Sequence, residues 1–305
     1  VNLACFYHND CGIDSAHASV LAAAVCFYYR LGTDAERLEF ERNAGQAVDA
    51  DGKHLIAPFE TTADLIGAYQ DQFTSIVDIP RGVARNESLK ANLFVMFTAV
   101  SVHPPLPVFV VGKPGQSKTL AVSLLGSGRT GQAELKVPLL SVLSYQCSEH
   151  TTAQGLDDHF EMGEILQERR QNSRTAVRMV IFLDEVGLAE KNTRDRPLKV
   201  LHKRLEHPNV GFVGLSNTPL DASKMNRAIY LTHLDPGVHD LVLTSKAILQ
   251  GQSESLEDSY VEKLANTIST LFLDFLERVQ KLEEGRYSHL ADFRGFYGLV
   301  KGMSM

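Results

Sequence analysis

Three short stretches hold side chains suited to phosphate chemistry. The first is VFVVGKPGQSKTLAVSLL, residues 108–125. An apolar run ends at Gly112. A loop through Lys113, Pro114, Gly115, Gln116 and Ser117 then leads into Lys118, Thr119 and a second apolar run. Between a strand and a helix, such a loop turns backbone N–H groups and a helix N-terminus toward phosphate. Lys118 offers a mobile positive charge for β- and γ-phosphates, and Thr119 offers a hydroxyl for Mg²⁺. The usual pattern is G-x-x-x-x-G-K-[ST], and Ser117 stands where that pattern has glycine. A small hydroxyl there adds little bulk and is able to face phosphate. The competing reading is a Gly-Pro turn beside a solvated lysine.

The second stretch is RMVIFLDEVGLAE, in which a buried-looking strand runs straight into Asp184 and Glu185. An aspartate at a strand end holds Mg²⁺ through its water shell. A following glutamate is placed to polarise an attacking water. The competing reading is an acid pair favoured by a helix N-terminus. The third stretch, VGFVGLSN, ends at Asn217, whose amide suits a lytic water or a γ-phosphate; a plain turn before Pro219 is the alternative. Polar groups at the ends of parallel strands fit the rule that ligands bind at the carboxyl edge of such sheets.

The elements that must position these groups follow from hydrophobic pattern. VFVV, LSYQC, MVIFLD, VGFVGLS and AIYLT are short continuous apolar runs, as for strands buried on both faces of a parallel sheet. With helical segments between several of them, they predict an α/β fold: a five-stranded parallel sheet sandwiched by helices. Residues 1–48 read as mostly helical, with SAHASVLAAAVCFYYRL apolar nearly all round behind a Ser15 cap. FETTADLIGAYQDQFTSIV and ESLKANLFVMFTAVSV predict two further helices, the second with Leu89, Leu93, Met96 and Phe97 on one face. HPPLP ends it. After about residue 238 the chain is helical again. Val261, Leu264, Ile268, Leu271, Phe272, Phe275, Leu276 and Val279 mark the buried stripe of one long helix, and DFRGFYGLVKGM a last one. GSGRTGQAE looks the most flexible loop.

Composition narrows the function classes. The chain has 305 residues, 44% of them hydrophobic, and a net charge of −7, enough for one large core or two unequal ones and a poor balance for nucleic acid. QERRQNSRTAVR reads as a solvated loop and helix end, not a nucleic-acid patch. No apolar run approaches the length of a bilayer span, and the N-terminus lacks the pattern of a secretory signal. Cys5, Cys11, Cys26 and Cys147 make no disulfide framework for a chain this long, which points to a reducing, cytoplasmic setting. Cys5, His8 and Cys11 have spacings a zinc site uses, yet no fourth ligand follows. Cys26 reads as core.

The loop, the Asp-Glu strand end and the strand-end Asn, in that order, resemble an AAA+ P-loop ATPase core. The more specific resemblance covers most of the chain. LPVFVVGKPGQSKTLA, SYQCSEHTTAQGL, VIFLDEVGLAEKNTRDRPLKVLHKRLE and VGFVGLSNTPLDASKMNRAIYL are similar to the mysterin-like family of giant ring-finger E3 ubiquitin ligases, as are IPRGVARNESLKANLFVMF and FRGFYGLVK. That resemblance implies one ATP-binding unit of a dynein-like AAA+ core, in which several units are joined in one polypeptide ring. It implies residues 1–55 as the tail of a preceding helical lid, 56–237 as the large α/β subdomain and 238–305 as part of a helical lid subdomain, so that the sequence reads as a fragment. It implies ATP and Mg²⁺ as ligands, neighbouring AAA+ units and ubiquitin machinery as partners, and a parent protein that associates with lipid droplets or membranes. Arg227, in KMNR, matches the position from which such units present an arginine to a neighbour's nucleotide. Arg294, in FRGFYGLVK, matches a sensor-2-like position. Plain surface roles compete for both. The Cys/His series of a RING domain is missing from this sequence.

Two other classes compete with a hydrolysing module. One is a structural unit that binds nucleotide and turns over little, against which both Asp184 and Glu185 speak. The other is a P-loop kinase, against which the strand-end Asn217 and the long C-terminal helical region speak.

Overall fold

The computed structural model describes residues 1–56, 60–127, 137–170, 176–192, 194–221, 226–252, 257–282 and 292–303. Most of GSGRTGQAE, the middle of QERRQNSRTAVR and the start of KMNR lie outside them. The chain divides into two compact units. One comprises Val1–Asp78, Asn92–Gly112 and Thr119–Leu234; the other comprises Ile79–Ala91, Lys113–Lys118 and Asp235–Met305.

The first unit opens with helices α1 (Asn2–Cys5), α2 (Ser15–Cys26), α3 (Asp34–Gly45) and α4 (Thr62–Ser75), followed by α5 (Glu87–Ser101), which belongs to it from Asn92 on. The cap of α2 is Asp14 and not Ser15: the Asp14 carboxylate accepts from the amides of Ala16 and His17, a charge-assisted version of the same contact. Thr33 and Glu36 form a capping box that starts α3. DADGKH turns at Gly52 and closes an antiparallel bridge between Val48 and His54.

From Ala91 to Val100 α5 is buried on every side, beyond the one face its spacing predicts. The N-terminal helices supply much of the cover. Phe94 is fully enclosed and meets Tyr7 stacked at 6.0 Å, Phe73 edge-on at 5.4 Å and Tyr29 at 6.2 Å. The polar tips of these rings are satisfied: the Tyr7 hydroxyl donates to Thr98 Oγ1 at 3.1 Å, and Gln70 Nε2 donates to the Tyr29 hydroxyl at 2.8 Å.

The sheet contains β1 (Val108–Val111), β2 (Leu139–Gln146), β3 (Val177–Asp184), β4 (Gly211–Ser216) and β5 (Ile229–Thr232). Its order is β2-β3-β4-β1-β5, with every pair parallel. β2 starts four residues earlier than the predicted run LSYQC, because pairing with β3 runs from Leu139↔Val177 to Gln146↔Asp184. Helices α6 (Lys118–Gly126), α7 (Ala153–Arg170), α8 (Val186–Glu190) and α9 (Val200–Arg204) connect the strands. Phe109, Phe160, Ile181 and Phe212 pack on one face, with Phe160 and Phe212 stacked at 5.9 Å. Val100 of α5 lies against Gly211 on the other, where an added Cβ would sit 3.0 Å from it. Arg204 Nη2 and Nη1 fasten α9 to α7 through Asp157 at 2.6 Å and Glu164 at 2.9 Å. Beyond β5, the turn Tyr28–Arg30 packs at the sheet edge, and Arg37 Nη2 donates to the Thr232 carbonyl at 2.8 Å.

The second unit contains α10 (Val238–Gln252), α11 (Asp258–Leu282) and α12 (Phe293–Gly302). Leu241, Leu249, Val261, Ile268, Phe296 and Val300 form its core. The stripe of α11 is buried only in part. Leu271 and Phe275 are exposed, whereas Ala265 and Ser269 are buried, because small residues at those turns let α10 approach and leave the larger ones outside. Cys26, in the first unit, is likewise only half-buried.

Phe94→Ala is expected to lower stability by about 3–5 kcal/mol, the range for deleting an enclosed aromatic side chain. Denaturant unfolding followed by near-ultraviolet circular dichroism reads this. A loss under about 1 kcal/mol would mean the aromatic cluster does not hold the N-terminal helices.

Candidate nucleotide site

The parallel register brings three strand ends to one edge. Val111 lies level with Ser216 and Thr232, and Leu183 lies level with Gly214. Just past these positions come Gly112, Asp184–Glu185 and Asn217. The Gly112 amide donates to the Ser216 carbonyl at 3.2 Å, extending the β1–β4 ladder by one rung. β1 and β3 flank β4, so their ends stand about 10 Å apart, two strand spacings.

Asp184 closes β3, where its backbone carbonyl accepts from Cys147 N at 2.9 Å. Its carboxylate accepts from the Glu185 amide at 2.9 Å. Glu185 has left-handed backbone angles, φ 52° and ψ 42°, which let α8 turn sharply away. The Asn217 amide nitrogen then lies 2.9 Å from both carboxylate oxygens of Glu185 and donates to them. So Asp184, Glu185 and Asn217, 33 residues apart in sequence, form one connected polar group. The burial of Cys147 beside Asp184 pushes its thiol up to about 12, first through desolvation and then through the nearby carboxylate, and keeps it a neutral wall residue.

Gly187 is the residue the sequence reading passes over. An added Cβ there would lie 2.7 Å from Ser216 Oγ and 2.9 Å from Thr218 Oγ1. Its absence lets the first turn of α8 press on the end of β4, which is what puts Glu185 beside Asn217. The available signal was a glycine inside a helical turn, two residues after an acid pair, where glycine costs helix propensity.

In the second unit, the loop Lys113–Lys118 is shaped by its own backbone. Gly115 has φ 90° and Ser117 φ 54°. The glycine usual before the lysine is thus a conformational requirement, and Ser117 meets it at the cost of left-handed backbone. The Lys118 ammonium is buried and donates to the Lys113 carbonyl at 2.8 Å. Lys113 Nζ pairs with Asp235 at 2.7 Å. Gln116 is buried, and Pro114 sits between the two turns. The start of α12 is packed on Gly115: a Cβ there would lie 2.8 Å from Phe293 Cβ and 3.2 Å from the Arg294 amide nitrogen. Arg294 therefore begins its side chain next to the loop, and it is exposed. Thr119, the first residue past this loop, is exposed in α6.

The remaining candidates lie elsewhere. Arg227 is exposed and donates to His202 Nδ1 at 3.1 Å. His8 bonds the Ile13 carbonyl through Nδ1 at 2.8 Å, and Cys5 is exposed. Among the described residues no group of three or more His, Cys, Asp or Glu side chains gathers as metal ligands, and no helix is long and apolar enough to cross a membrane.

A parallel sheet in this order, with a glycine-rich loop after the first strand and acids after the third, defines an AAA-type α/β domain. The model of the RNF213 AAA domain matches residues 82–240. The chain belongs to that family, the mysterin-like family its motifs resemble. It is 31% identical over 298 residues to the human E3 ubiquitin-protein ligase RNF213, covering 92% of this chain and 5% of that protein. To the zebrafish (Danio rerio) E3 ubiquitin-protein ligase rnf213-beta it is 30% identical over 298 residues, covering 92% and 6%. The chain thus spans about one twentieth of the length of the curated relatives it matches. Of the solved structures, Rhizobiales Trip13 aligns over 83% of this chain and 78% of that one, at 15% identity and a TM-score of 0.37, too low to bear on the argument.

Two substitutions test this local physics. Ser117→Gly is expected to stabilise by about 0.5–1 kcal/mol, since relief of left-handed strain of about 1–2 kcal/mol exceeds the added freedom of the unfolded chain. Thermal unfolding checks it, and a fall in Tm would contradict the backbone argument. Gly187→Ala is expected to separate α8 from β4 and cost about 1–3 kcal/mol as an overpacked contact. Amide chemical shifts of Glu185 and Asn217 report whether the pair parts.

Proposed function

We propose that this chain is an ATP-binding and hydrolysing AAA+ module of a giant ubiquitin ligase. It would couple turnover to movement within a multi-unit ring of the same polypeptide. The observation that carries the reading is the Asn217 amide joined to both oxygens of Glu185, beside Asp184, at the carboxyl edge of the sheet. The donor set suits Mg-ATP. A buried ammonium held by a carbonyl, a tightly turned glycine loop, and a hydroxyl and a carboxylate for a hard cation are what a metal–triphosphate requires.

On this reading Gly112, Lys113, Pro114, Gly115, Gln116, Ser117, Lys118 and Thr119 hold the nucleotide, and Thr119 with Asp184 holds Mg²⁺. The metal, when bound, neutralises charge on the phosphates. Lys118 exchanges the Lys113 carbonyl for a phosphate oxygen. Glu185 accepts a proton from the attacking water through a lone pair that Asn217 leaves open. Asn217, once turned, orients that water. Arg294, beginning at Gly115, reaches toward the same loop. Arg227 serves a neighbouring module in trans. Residues 1–55 would close the preceding module, and residues 238–305 would form part of this one's lid. Ubiquitin transfer, the reducing cytoplasmic setting and any lipid association belong to the parent protein.

Lys118→Ala is expected to weaken ATP binding by at least tenfold, measured by calorimetry on the chain; unchanged binding would remove the site assignment. Glu185→Gln is expected to keep binding and cut phosphate release by about 10²–10⁴-fold. Undiminished release would leave a nucleotide-binding unit whose turnover, if any, does not use Glu185. Appearance of the γ-phosphate on an added acceptor rather than on water would favour a kinase.

A further inference from the structure

At the opposite, amino edge of the sheet lies a cavity of about 860 Å³, wholly within the first unit. Its walls come from the segments that enter the strands: Pro104 and Pro105 before β1, Pro138 before β2, Pro208 before β4 and the first residues of β3. Prolines bring no N–H groups, so side chains from β3 and from the last turns of α7 supply most of the hydrogen-bonding capacity.

Those side chains are unequally committed. Glu164 is held by Arg204 at 2.9 Å. Gln167 spans β3, donating to the Val177 carbonyl at 3.0 Å and accepting from the Met179 amide at 2.7 Å. Glu168 and Arg170 are exposed at the rim. Arg178, the second residue of β3, is half-buried in the wall. Burial pulls its guanidinium below the usual value, while of the glutamates lining the cavity Glu164 is taken by Arg204 and Glu168 stands exposed at the rim. Arg204, which burial also disfavours, shows the contrast: Asp157 and Glu164 more than restore its charge. A guanidinium withdrawn from water without a counter-charge is destabilising unless something brings the anion.

We propose that this cavity is a binding site, separate from the nucleotide site, for a small organic oxyanion, a carboxylate or a phosphate, paired with the Arg178 guanidinium. The planar fork of arginine matches either group through two parallel hydrogen bonds, and the volume lies in the range of sites for small molecules. The rigid proline rim gives a preformed wall.

The test uses the whole chain carrying Lys118→Ala, so that binding of the probe at the nucleotide loop does not contribute. Citrate and inorganic phosphate are the two probes, each compared with sodium chloride at equal ionic strength. Tm is expected to rise with one or both probes. A response to citrate alone assigns a carboxylate, and a response to phosphate alone a phosphate. Adding Arg178→Met is expected to weaken the response about ten- to hundredfold in probe concentration. The same substitution is expected to raise Tm in buffer without the probes, because an uncompensated charge has gone. An equal response with Arg178→Met, no response to either probe, or a lower Tm in probe-free buffer would overturn the inference. Arg178→Gln serves as the second variant, and failure of both to fold would make Arg178 structural and overturn it as well.

Discussion

The acidic edge of this domain depends on a side chain that is missing. Gly187 lets α8 lie on the end of β4, and only that approach lets an amide from one strand end reach a carboxylate from another. Everything at the edge follows from the closeness. Glu185 turns left-handed to start the helix at once, Asp184 takes the freed amide of Glu185, and Asn217 spans both oxygens of its partner. A helix one methyl group further out would leave the same residue types without a common site.

Much of the fold was legible in the sequence, for a physical reason. A strand buried on both faces has to be apolar throughout, and five such runs are hard to mistake in a chain that is otherwise amphipathic. The acids and the amide were legible because each breaks such a run at its carboxyl end. Other features depend on tertiary contact and left weaker traces. Asp14 took the cap from Ser15 because two residues able to cap stand side by side and the charged one makes the stronger bond. Leu271 and Phe275 share the period of Val261 and Ile268, yet spacing records only the face, and the approach of α10 chose its small residues. The enclosure of α5 draws on rings distant in sequence, such as Tyr7 and Tyr29, which no short window of the sequence contains along with it.

The departure at Ser117 sharpens what a pattern records. A pattern states which residue is usual, whereas the structure states the constraint, a backbone with φ 54° just before the lysine. Glycine meets it without strain and serine meets it with a modest cost. The substitution therefore leaves the loop's course intact, as the Lys118–Lys113 bond and the packing of α12 on Gly115 illustrate.

Among the described residues three that are not glycine have positive φ: Ser117, Glu185 and Arg196. Two of these adjoin the groups best suited to chemistry, Lys118 and Asp184. Strain of about 1–3 kcal/mol persists only where the surroundings over-determine it. At Glu185 the surroundings are visible: the Asp184 carboxylate holds its amide, Asn217 holds its side chain and Gly187 fixes the helix that follows. The same contacts that hold the strain also occupy both oxygens of Glu185. One amide reaching both oxygens holds the carboxylate in place and still leaves it lone pairs for other donors, so the strain is held without exhausting the acceptor.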